Sequence, residues 1–181
     1  MNLLTTLATL CLASSMAVSS VPVAKPLLGI SPGEFTKHFN AVARQAGSEL
    51  KLPAFRVQRG WHRAVPSAGI SVLVKPAAGG RALDEVVVLC GAAEKCFLTI
   101  CMVALTLDDD ADLGVLQRFV LARLGEELGN VGLVMSDLAY VVISEESYVA
   151  LVIRPYDAGD AAGNRPQAGT GPAQVLATAS P

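Results

Sequence analysis

The sequence predicts an α+β domain: an antiparallel sheet of about six strands with two amphipathic helices, in the order α-β-β-β-β-α-β-β. Three observations carry this reading. Apolar residues recur at helical spacing over 35–46 and again over 113–128, short apolar segments fill the stretches between and after them, and links of hairpin length join those segments.

The first helix starts at Ser31-Pro32-Gly33-Glu34, a capping box in which the Ser hydroxyl accepts from a free backbone amide and Glu34 reaches back. Phe35, Phe39, Val42 and Ala46 then form one apolar stripe, and Gly47 can adopt the left-handed conformation that closes a helix. Residues 54–59 alternate Phe55 and Val57 against Arg56 and Gln58, as a half-buried strand does. A polar loop is expected to follow. Ile70, Val72 and Val74 mark a second strand, and 83–90 a third. Gly91 to Lys95 reads as a hairpin connection into 96–107, which is nearly all apolar and is expected to be a buried central strand. Asp108, Asp109, Asp110 and Asp112 precede the second helix, in which Leu113, Leu116, Val120, Leu124 and Leu128 share one face up to Gly129. Two final strands, 138–144 and 147–154, flank a tight connection at Glu145-Glu146, and Pro155 ends the regular structure.

The strands from Leu83 onward are apolar at both parities, with Val86 and Val88 set against Val87 and Leu89. A singly covered antiparallel sheet normally alternates with polar residues. Two readings follow: the helices lie on opposite faces of one monomer, or a homodimer or partner surface covers the second face.

The ends read differently from the middle. Residues 3–18 form an uncharged apolar run, too short for a transmembrane helix, that gives way to small residues, so 1–19 is expected to be a signal peptide. An extended lead-in occupies 20–30, the domain 31–155, and a Gly-, Ala- and Pro-rich disordered tail 156–181. The expected location is periplasmic or secreted, with membrane attachment only through an uncleaved leader. Loss of Cys11 with the leader leaves Cys90, Cys96 and Cys101 in an oxidising compartment. Cys90 and Cys96 are either a short-range disulfide or buried free thiols, and Cys101 packs as a small hydrophobe.

With a formal charge of −2, the chain lacks the broad positive field that nucleic-acid binding uses. The sharpest chemical cluster is Arg56, Arg59, Trp61, His62 and Arg63. Arginine forks onto carboxylate or phosphate, tryptophan offers a stacking face, and histidine can switch charge. The bland reading makes Trp61 a packing residue that continues the inward parity of Phe55 and Val57. The Asp108–Asp112 run lacks the glycine and closing glutamate of a calcium loop and suits helix capping better. Neither His38 nor His62 has a nucleophile or carboxylate beside it in a recognisable arrangement, so no catalytic residue, metal or cofactor is assigned.

By element order alone the chain resembles small secretion chaperones and immunity-type binders, which implies a binding role; no residue motif carries that resemblance. The expected function is an exported, non-enzymatic interaction module that docks a protein partner, or a second copy, through an apolar sheet face or the Arg56–Arg63 region. The alternative is a periplasmic small-ligand binder or hydrolase with a pocket at Trp61 and His62.

Overall fold

A computed structural model describes residues 28–91, 95–124, 131–145 and 147–156. The expected leader, most of the lead-in and the tail from 157 onward lie outside the described residues. The elements are α1 (Pro32–Gln45), β1 (Arg56–Gln58), β2 (Trp61–Ser67), β3 (Ile70–Pro76), β4 (Leu83–Cys90), α2 (Cys96–Leu107), α3 (Leu113–Leu124), β5 (Val131–Met135), β6 (Leu138–Glu145) and β7 (Tyr148–Pro155). All strands pair antiparallel in one sheet ordered β1-β2-β3-β4-β7-β6-β5, which makes the domain α+β.

Helix α1 forms as its sequence dictates. The Ser31 Oγ accepts from the Glu34 backbone N–H, and the Glu34 carboxylate accepts from the Ser31 N–H at 2.9 Å, so two amides at the helix start are satisfied reciprocally. At the other end Gly47, at φ +65°, lets its own N–H reach Arg44 O and the Ser48 N–H reach Ala43 O. Phe35, Phe39 and Ala43 are buried, Val42 packs beside them, and Ala46 is the exposed cap. The Asn40 side chain clasps the following loop by accepting from Leu52 N–H at 2.8 Å and donating to Leu52 O at 3.0 Å.

Three expectations are corrected. Residues 96–107 are a helix, not a central strand, and Gly91 to Lys95 links a strand to that helix rather than two strands of a hairpin. This helix, α2, buries Thr99 to Ala104 and Thr106, almost its whole circumference, so no polar stripe betrays its period. Its two buried hydroxyls stay satisfied because Thr99 and Thr106 each donate to the carbonyl four residues back. Second, the expected polar loop after residue 59 is largely β2, whose register slips between Ala64 and Ser67 around Pro66. Third, β5 adds an edge strand that the sequence reading leaves out.

The acidic run caps and ties. The Asp112 carboxylate accepts from the Val115 N–H at 2.9 Å at the start of α3, and the Asp108 carboxylate accepts from the Asp110 N–H and the Ser136 hydroxyl. Leu116 and Val120 form the buried face of α3, while 125–130, with the expected Leu128, lie outside the described residues.

All three helices of the described residues pack against one face of the sheet. Phe35, Phe39, Ile100, Val103, Leu116 and Val120 share a core with Val72, Val74, Val86, Val88, Tyr140, Leu151 and Ile153. A disulfide between Cys90 and Cys96, with Cα atoms 5.6 Å apart, ties the end of β4 to the start of α2. The neighbouring thiol, Cys101, is free and buried, and burial pushes it up to about 11. No described helix is long and apolar enough to cross a membrane.

Candidate functional site

The opposite face of the sheet, here the outer face, is assembled by strand register. One row crosses the whole sheet: Arg56, Arg63, Leu73, Val87, Val152, Val141 and Gly132 stand opposite one another from β1 to β5. Ser71, Leu89, Ala150 and Ile143 form the next row on that face. Leu73, Val87, Leu89 and Ala150 are buried, and half-buried Trp61, Ile143, Tyr148 and Val152 pack around them. The outer face is therefore a second apolar cluster. No helix residue belongs to it among the described residues, so the reading with helices on opposite faces does not hold.

The Arg and Trp cluster owes its placement to one turn. Gln58 pairs with Trp61, so Arg59-Gly60 is a two-residue hairpin loop, with φ at +50° and +82°. Those signs match a type I′ turn, and Gly60 meets them without steric cost. Because a two-residue loop fixes register, Arg56 stands opposite Arg63 and Val57 opposite His62. Successive strand residues face opposite ways, so Trp61 and Arg63 lie on the outer face while His62 faces the other side with Val57 and Val74. This corrects the expected inward parity: Trp61 shares its face with Gln58, not with Phe55 and Val57, and Val57 is 73% exposed. It also keeps Trp61 and His62 out of a common pocket.

Electrostatically the outer face is lopsided. Arg56, Arg63, Lys75 and Arg154 lie on it against Glu85 and Glu145, and Arg59 sits at the adjoining hairpin tip. Lys75 stands opposite Glu85. Arg63 is held across the sheet by a neutral group: its Nε and Nη2 donate to Ser71 Oγ at 3.3 and 3.0 Å. Among the described residues neither the Arg56 nor the Arg59 side chain has a hydrogen-bond or ion-pair partner. At the far end, burial first and the Glu145 charge second push the Tyr148 phenol up.

Among the described residues, two cavities lie on the helix side. A cleft of about 720 Å³ opens on the helix side between the start of α1, the end of α2 and the β5–β6 turn, lined in part by Glu34, His38, Thr106, Asp109, Asp137 and Tyr156. A smaller one of about 370 Å³ adjoins it at His38, Thr106 and Asp109. Neither is lined by Trp61 or His62. Among the described residues no three His, Cys, Asp or Glu side chains are grouped closely enough to hold a metal ion.

The sequence points to the arginines and the tryptophan, but not to Tyr148, Ile143 and Val152, which complete the ring around the apolar cluster. The available signal is the alternation of β7, in which Tyr148, Ala150 and Val152 share one parity. No protein-family model, curated protein or solved structure matches the chain.

Proposed function

We propose that this chain is an exported, non-enzymatic interaction module that docks a protein partner on the outer face of its sheet. One observation carries the reading: the sheet is apolar on both faces, and every described helix packs on only one of them. Trp61 and Tyr148 supply aromatic anchors of the kind that dominate interface energetics, and Arg56 and Arg63 lie on the Trp61 side of the sheet. The disulfide fits an oxidising compartment, and the apolar leader supplies a route there.

The test compares the wild-type chain with Ile143→Lys in pull-downs from a cell-envelope extract. Ile143 is half-buried, so a lysine there can extend its ammonium to solvent while placing a charge in the dock. A partner retained by the wild type and lost by the variant, at equal thermal stability, is the expected outcome. The same bound proteins with both chains would refute outer-face docking. N-terminal sequencing of protein recovered from the envelope checks export: a mature start near residue 20 supports it, and an intact Met1 in the cytosolic fraction refutes it.

A further inference from the structure

Resting on that docking reading, we infer that the partner seated on the outer face is an acidic protein, one that presents carboxylates to Arg56 and Arg63 beside an apolar strip that lies on Trp61, Val152 and Val141. Among the described residues no carboxylate is paired with these two side chains. Arg56 and Arg63 stand directly opposite each other on neighbouring strands, an arrangement of like charges that weakens a sheet. Arg63 is fixed by the Ser71 hydroxyl, which orients the guanidinium without neutralising it, and Arg56 has no partner among the described residues. Two planar forks on directly opposed residues, one of them fixed, suit carboxylates, which accept paired N–H bonds from guanidinium groups.

Charge across the whole molecule points the same way. The chain carries a formal −2, yet among the described residues its outer face has four basic side chains against two acidic ones, while Asp109, Asp110, Asp112, Asp137 and Glu34 gather on the helix side. A second copy that offered its own outer face would bring more basic than acidic groups, so it does not supply the missing carboxylates. Nucleic acid fits less well, because two of the face's six charged residues are acidic and its middle is aliphatic.

Trp61 is the sole tryptophan of the chain and lies on this face, so its fluorescence reports occupancy directly. The full chain is titrated with three probes: a short peptide alternating glutamate with valine and leucine, the same peptide with lysine for glutamate, and a short oligouridine. The glutamate peptide is expected to shift Trp61 emission at concentrations at least about tenfold below the lysine peptide, and added salt should narrow that gap. Arg56→Gln, an exposed substitution, should lower the glutamate peptide's affinity several-fold while leaving the melting temperature unchanged or slightly raised, because it removes one of two opposed like charges. Equal responses to the two peptides would overturn the acidic-partner inference and leave outer-face docking intact. A response to oligouridine alone would overturn both in favour of a nucleic-acid ligand, and silence towards all three would remove both.

Discussion

On the helix side of the sheet, Val72, Val86, Val88, Leu151 and Ile153 meet Phe35, Phe39, Ile100 and Leu116 from three helices. On the outer side, Leu73, Val87, Leu89 and Ala150 meet, among the described residues, Trp61, Ile143, Tyr148 and Val152, all from the sheet itself. The two clusters draw on the same aliphatic and aromatic residue types, so apolar composition does not separate them. Partners do: the first face is closed by long-range packing between layers, and the second by neighbours already held in register by the backbone ladder. The helix side should therefore carry most of the stability, and the outer side should be free to spend its apolar surface on another molecule.

The largest expected effect tests that division. Phe39→Ala empties a fully buried site and should cost about 3 to 5 kcal/mol, read by urea denaturation, whereas Trp61→Ala on the outer face should cost much less. Equal losses would break the contrast between the faces. Next comes the Cys90→Ala, Cys96→Ala pair. The disulfide closes a loop of only a few residues, so its removal should cost about 2 kcal/mol, with no change in the Trp61 spectrum because the bridge anchors the helix side alone.

A smaller effect is expected in alkali. Burial pushes the Cys101 thiol up to about 11, and burial with the nearby Asp108 charge pushes the Tyr140 phenol up to about 12. Folding holds both groups in their neutral form. Their contribution is complete below the ordinary values of 9.0 and 10.0 and is lost as pH climbs to the folded ones, because the unfolded chain gives up these protons first. Melting temperature should therefore fall between about pH 9 and 12, and less steeply in Cys101→Ala. Smallest of all is Tyr140→Phe. The Tyr140 hydroxyl is buried on the helix side with no hydrogen-bond partner among the described residues, so deleting it should leave stability unchanged or slightly raised. A loss of more than about 1 kcal/mol would mean that this hydroxyl is satisfied in solution.

Much of the scaffold is legible in the sequence wherever polarity alternates. Helix α1 is the clearest case, because Ser31, Glu34 and Gly47 mark its ends and one apolar stripe marks its face. Helix α2 is illegible by the same rule: with nearly every side chain buried, a period of 3.6 leaves the same trace as a continuously apolar strand, and only its length, long for a strand, argues otherwise. Strand β2 hides behind His62, Arg63 and Pro66. That oversight governs the site. The cluster from Arg56 to Arg63 can be picked out by residue type, but the side each residue occupies depends on Arg59-Gly60 being a two-residue turn, and an Arg-Gly pair is a weaker turn signal than Asn-Gly or Asp-Gly. Once the turn is recognised, parity sends Trp61 to one face and His62 to the other.

The strand order carries a consequence for how the molecule comes to exist. Strands β1 to β4 form one meander and β5 to β7 another, and the two zip together along a single ladder, β4 against β7, whose paired residues are separated by dozens of positions in the chain. That seam has to wait until residues 149–153 are available, and its long-range closure is expected to be slower than the hairpins. Until then each half ends in a bare, strongly apolar strand with its backbone unpaired, the very shape that recruits stray chains into aggregates. A protein built this way is most vulnerable just before completion, and its yield in the cell should depend on how quickly the last strand arrives.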